Sequence, residues 1–141
     1  MKYLVFTIDS CRLALEVNKV REIIIPGLNA GTTPEKILSE KKMVFQDRKI
    51  PVIILADFLF DIPSNRPERF RIVVCEINDK AIGLLVDSAD EIIRLSKENI
   101  ISTDKRSQKL RTDFLDGKFV DDNREIFIVA PDKILNVIEA V

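Results

Sequence analysis

The stretch FRIVVCEINDKAIGLLVDSADEII, residues 70–93, decides the fold. Its first eight residues, Phe70 to Ile77, are rich in β-branched and aliphatic side chains, the composition of a strand. Asn78-Asp79-Lys80 is the polar break that a hairpin turn needs. Ala81 to Asp87 forms a second strand-like run, and SADEIIRL continues in the same character. A connection this short joins antiparallel strands, because a parallel pair needs a crossover of a dozen or more residues. Gly83 sits inside the second run, where glycine marks a bulge or a close backbone approach.

Upstream, the pattern repeats. Residues 3–8, Tyr-Leu-Val-Phe-Thr-Ile, read as a strand, and Asp9-Ser10 as a turn. In CRLALEV, Cys11, Leu13, Leu15 and Val17 fall on one face and Arg12, Ala14 and Glu16 on the other, which predicts an antiparallel hairpin with one wet face. Residues 20–25 form a third strand, which Pro26 stops. Thr33-Pro34-Glu35 has the cap and first-turn proline of a short helix reaching Leu38. MVFQDRKIPVIIL divides into two strands around a turn at Gln46-Asp47-Arg48, and Ala56 to Phe60 reads as a helical turn. Residues 61–69, DIPSNRPER, carry Pro63 and Pro67 among polar residues and predict a crossing between subdomains at 1–60 and 70–130.

Downstream, residues 102–113 read as a basic polar loop, followed by turns at Asp116-Gly117 and Asp122-Asn123. EIFIVA is a strong strand. Pro131 opens a helix over 131–140, with Ile134, Leu135 and Ile138 at helical spacing. The total is eight to ten short strands and a terminal helix. The long helix that must follow each strand of a parallel α/β sheet is missing.

Composition narrows the function classes. The 141 residues are 46% hydrophobic, enough for one domain with a sizeable core. The 22 basic and 23 acidic residues leave a net charge of -1, with no global attraction for nucleic acid or an anionic membrane. MKYLVFTIDS reads as a first strand rather than a leader, and no apolar run approaches ~20 residues. The cytoplasm is the expected location. Cys11 and Cys75 read as buried thiols in strands.

Histidine is absent, the cysteines form no CxxC pair, and neither GxGxxG nor a Walker sequence occurs. No catalytic residue, cofactor or metal is expected. Carboxylate chemistry needs only two groups, and Glu16, Glu22, Glu76, Asp87 and Asp90-Glu91 lie near strands. A hydrolase of that kind predicts a pocket holding two carboxylates about 5–10 Å apart. Lys105 to Arg111 is basic but carries no interleaved aromatic, so no nucleic-acid partner is expected. Val20, Arg21, Glu22 and Ile23 to Ile25 admit two readings: an ordinary strand with a polar edge, or a groove wall with an apolar centre and charged rim.

The order of these pieces resembles the CheW-like domain, the adaptor module of bacterial chemotaxis. Four stretches carry the resemblance: YLVFTIDSCRLALEVNKVREII with its Val-x-Glu-Ile element, KIPVIILADFLF, residues 70–93 with Gly-Leu-Leu-Val-Asp, and FLDGKFVDDNREIFIVAPDKIL. The resemblance implies a mainly β fold of two small packed five-stranded β-barrels with a short C-terminal helix. It also implies a non-enzymatic adaptor that links the cytoplasmic tip of chemoreceptors to the regulatory domain of a chemotaxis histidine kinase. Such a protein is recruited to membrane receptor arrays without inserting into the membrane. By position, Val20, Glu22 and Ile23 fall on the receptor-side groove. Gly83, Leu84 and Asp87 fall in the second barrel as further protein-binding candidates, with Gly83 and Asp87 mainly structural and contact with the kinase the lesser expectation. The family's Asn-Leu-Arg-Gly turn is replaced by Val44, Phe45, Gln46 and Asp47, with Arg48 following. Gln46, Asp47 and Arg48 are therefore where partner choice is expected to differ, and a scaffold serving a separate signalling pathway is the alternative.

Overall fold

Residues 70–93 fold as the hairpin their sequence predicts. In the computed structural model, β6 (Arg71–Ile77) pairs antiparallel with β7 (Lys80–Val86), in register from Arg71↔Val86 to Ile77↔Lys80. Asn78 and Asp79 both take positive φ, 51° and 67°. That is the turn whose twist matches the flanking strands. Gln46-Asp47 (49°, 62°) and Asp122-Asn123 (48°, 65°) repeat it. The structure describes residues 1–28, 33–60, 69–103 and 110–139. The expected crossing at 61–69 lies outside them except for Arg69, and the expected basic loop 105–111 except for Leu110 and Arg111.

The remaining strands are β1 (Lys2–Ile8), β2 (Cys11–Glu16), β3 (Val20–Ile24), β4 (Lys42–Phe45), β5 (Arg48–Ile54), β8 (Ser88–Arg94), β9 (Leu115–Asp121) and β10 (Arg124–Val129). They form two five-stranded mixed sheets, one a strongly curled half-barrel and one open, ordered β8-β1-β2-β10-β9 and β3-β6-β7-β5-β4. Neither ladder closes on itself among the described residues: the first ends at β8 and β9 and the second at β3 and β4, short of the two closed barrels expected.

The sheets do not divide at 61–69. The first takes β1 and β2 from the start of the chain and β8 to β10 from its end, while the second holds β3 to β7. β5 and β6, the strands before and after that stretch in the sequence, both belong to the second sheet. The chain changes sheets instead at a single 3₁₀ turn, Val17–Lys19, and at Asp87, two short steps without proline or glycine. Each sheet is completed by a parallel pairing, β10 on β2 and β5 on β7.

The predicted wet face of the first hairpin is also covered. Leu4, Phe6, Ile8, Leu13 and Leu15 join the main core with β6 and β7. On the opposite face, Tyr3, Val5 and Ala14 pack with Leu95, Ile126 and Ile128 in a second cluster. Arg12 and Glu16 flank Ala14 on that face and reach Glu91 (2.7 Å) and Lys19 (4.0 Å).

Asp116-Gly117 is not a turn but part of β9. Ile128 pairs with Gly117 and Val129 with Leu115, so Asp116 is bulged out. A Cβ on Gly117 would lie 2.7 Å from the Ile101 carbonyl oxygen. Ile101 and Lys118 exchange two backbone hydrogen bonds, of 2.9 and 2.8 Å, across this approach. The Asp-Gly pair marks a close backbone contact rather than a reversal.

Helix α1 (Pro34–Glu40) starts as its sequence dictates, with the Thr33 hydroxyl accepting from the Lys36 N–H at 3.3 Å, and runs two residues past Leu38. Helix α2 spans Leu55–Leu59. Helix α3 (Pro131–Glu139) buries Ile134 and Leu135 in the main core.

Candidate functional site

The directions of the strands bring the predicted site residues together. β5 runs parallel to β7, and β6 and β4 run antiparallel to these partners. The starts of β3, β5 and β7 therefore meet the ends of β4 and β6 at one end of the second sheet. Val20 to Ile23, Gln46 to Arg48 and Asn78 to Lys80 all lie there.

Glu76 joins the first two of these groups. Its side chain is 22% exposed, and one carboxylate oxygen meets Arg21 Nε at 3.4 Å and Arg48 Nη2 at 3.9 Å. Arg48 Nη1 also donates to the Asp79 carbonyl at 3.4 Å. A register shift between Val20 and Glu22 bulges Arg21 from the ladder. Val20 and Ile23 pack partly against the main core, while Glu22, Gln46 and Asp47 are exposed. Lys80 reaches Glu139 at the end of α3. The result is a surface of partly buried apolar residues edged by shared charges. Glu76 carried no special signal in the sequence. It becomes the hub because Cys75 pairs with Val20, which places the next β6 residue beside β3.

Gly83 and Leu84 do not belong to this surface. A Cβ on Gly83 would lie 2.8 Å from Ile72 Cγ2 and 3.5 Å from Val52 Cγ2, and Leu84 is fully buried. Both are core positions, because β7 is the central strand of its sheet. Asp87 lies at the crossover between sheets. Its Oδ2 accepts from the Asp9 N–H at 2.7 Å, and its own N–H donates to the Thr7 carbonyl at 3.0 Å. Partial burial raises the Asp87 carboxyl above 3.8; the Asp9 N–H opposes the rise and the Asp9 charge adds to it.

A separate cleft of about 390 Å³ opens beside Tyr3, Glu16, Lys19, Lys97 and Asp116. Burial, then the charges of Glu16 and Asp116, raise the Tyr3 phenol. Glu16 and Asp116 are each met by a lysine, Lys19 at 4.0 Å and Lys133 at 3.5 Å. Asp87 uses its carboxylate on the Asp9 amide and does not line this cleft. Both cysteines are free thiols, and burial pushes Cys11 up to about 11 and Cys75 up to about 12, so neither is a ready nucleophile. Among the described residues no group of His, Cys, Asp or Glu is placed to hold a metal ion, and no helix is long and apolar enough to cross a membrane.

Comparison with known proteins places this architecture. The model of the CheW-like domain family matches residues 2–139. A probable chemotaxis protein CheW from Rhizobium etli is 30% identical over 91 residues, which cover 64% of this chain and 59% of that protein. The match thus spans less than two thirds of that relative's own length. The crystal structure of the scaffolding protein TtCheW from Thermoanaerobacter tengcongensis superposes with a TM-score of 0.72 at 25% identity, over 91% of this chain and 82% of that one.

Proposed function

The chain belongs to the CheW-like domain family, and from that membership we propose that it is a non-enzymatic adaptor in chemotaxis signalling. It links the cytoplasmic tip of a chemoreceptor to the regulatory domain of a histidine kinase. The observation that carries this reading is the family match over 2–139, supported by the fold shared with a protein described as a scaffold. The two sheets act as paired barrel-like modules, one contact surface to each partner. Val20, Glu22 and Ile23 meet the receptor tip, whose apolar anchors lie in a groove in the manner of helix recognition. Gln46, Asp47 and Arg48 adjoin that surface through Glu76 and select the partner. The protein works in the cytoplasm, recruited to receptor arrays.

Titration with a receptor-tip fragment and with the kinase regulatory domain tests the reading. Saturable binding to both is expected, weakened by Glu22→Lys. Binding to neither overturns it. The non-family turn at Gln46-Asp47 favours one second reading, the same scaffold in a separate signalling pathway, and the same titration separates the two.

A further inference from the structure

We propose that the groove between α1 and β4 is a separate docking site for an acidic segment of a protein partner, which seats an apolar side chain over Val44. The groove is lined by Lys36, Glu40, Lys42, Met43, Val44 and Lys49. Strand alternation sets this arrangement. Met43 and Phe45 turn into the core, so Lys42 and Val44 share the outer face, with Lys49 directly opposite Val44. Val44 is 51% exposed, and β4 is the end strand of its sheet.

The charges on this groove are unbalanced. Lys36, Lys42 and Lys49 make no ion pair among the described residues, as is also true of Lys2, Lys41 and Lys97, but only these three gather on one groove. Glu40 is the one carboxylate among the lining residues. Three lysine ammoniums around an exposed valine complement a segment in which carboxylates flank an apolar residue. Lysines on an end strand also deter edge pairing, but that role gives no reason for the third lysine to come from α1. A concave site suits a peptide segment better than a flat anionic bilayer. The site shares no residue with the surface around Glu76, so its failure leaves the adaptor reading standing, and the reverse.

The test uses a fluorescein-labelled peptide of about eight residues alternating Glu and Val, with its Lys-Val counterpart as control. Anisotropy titrations compare the wild-type chain with the double variant Lys42→Glu/Lys49→Glu and with Val44→Ser, whose exposed positions spare the core. Expected are binding of the acidic peptide alone, weakening with added salt, and affinity about tenfold lower for the double variant. Val44→Ser is expected to weaken binding by about threefold. Absence of binding overturns the proposal, as does equal binding by the double variant. So does tighter binding to inorganic polyphosphate, or to phosphatidylcholine vesicles containing about one quarter phosphatidylserine. Loss of peptide binding through self-association at the same face, read by sedimentation, overturns it as well.

Discussion

The carboxylate of Asp87 accepts a hydrogen bond from the backbone N–H of Asp9 at 2.7 Å, across 78 positions of sequence. Asp9 opens the β1–β2 turn with φ at 52°, and Asp87 is the step by which the chain leaves the second sheet for the first. One side chain therefore holds a turn of one sheet against the exit of the other.

Asp87→Ala removes the acceptor and is expected to destabilise the fold by about 1–2 kcal/mol in urea titrations. Asp87→Asn keeps an acceptor and removes the charge. Burial raises the Asp87 carboxyl above 3.8, so the folded chain holds this proton more tightly than the unfolded one. Its contribution to stability then falls as pH rises from 3.8 through the raised value and is level above. The stability difference between wild type and Asp87→Asn is expected to move in favour of Asn across that window. A difference independent of pH refutes this.

Gly83 and Gly117 are predicted to fail differently when replaced by alanine. At Gly83 the new Cβ meets a side-chain methyl of Ile72 at 2.8 Å, so Gly83→Ala is expected to cost about 1–3 kcal/mol. Ile72→Leu in the same chain, which lacks that Cγ2 methyl, then restores part of the loss. At Gly117 the Cβ meets the Ile101 carbonyl at 2.7 Å, and φ is 151°. Backbone cannot trim itself, so Gly117→Ala is expected to have no side-chain rescue. It also speeds hydrogen exchange at the Ile101 and Lys118 amides. Thermal unfolding and amide exchange decide both.

The two thiols define an alkaline limb. Their folded values, about 11 for Cys11 and about 12 for Cys75, lie above the ordinary 9.0. Above pH 9 the unfolded chain releases these protons first, so their contribution to stability falls as pH rises from 9.0 toward those values. At neutral pH iodoacetamide is expected to leave Cys75 unlabelled until urea unfolds the chain. Rapid native labelling of Cys75 counts against its burial.

Glu76→Gln removes the carboxylate that Arg21 and Arg48 share. Both arginines are about half exposed, so stability is expected to change by no more than about 1 kcal/mol. Partner binding is expected to weaken by about tenfold, because both arginines lose their common anchor. Arg48→Ala is expected to act in the same direction, and the effects are not additive when combined with Glu76→Gln. Additive losses in a double-mutant cycle show that the two residues act separately.

Most local structure was legible because it is written in near neighbours. Alternating residues, Thr33-Pro34 and polar turn pairs each act within a few positions. The misreadings share a cause. Asp116-Gly117 has turn chemistry, but its glycine serves a strand that approaches from Ile101. Pro63 and Pro67 looked like a boundary, yet the crossings are at Val17–Lys19 and Asp87, where no local residue advertises a break. Leu84 lies in the stretch that carries much of the family resemblance, and only the central place of its strand shows that its side chain is fully buried.

By itself the sequence determined the mainly β character, the short hairpins, the absence of histidine and of cofactor motifs, and the family. Tertiary structure decided which strands share a sheet, that Glu76 connects Arg21 to Arg48, and that Asp87 meets Asp9. Hairpin pairing is set by a turn of two residues, so a short stretch encodes it. The parallel pairings of β2 with β10 and β5 with β7 join strands without a direct turn. Their partners and register follow from burying both faces of each strand at once, a condition that no single stretch of chain contains.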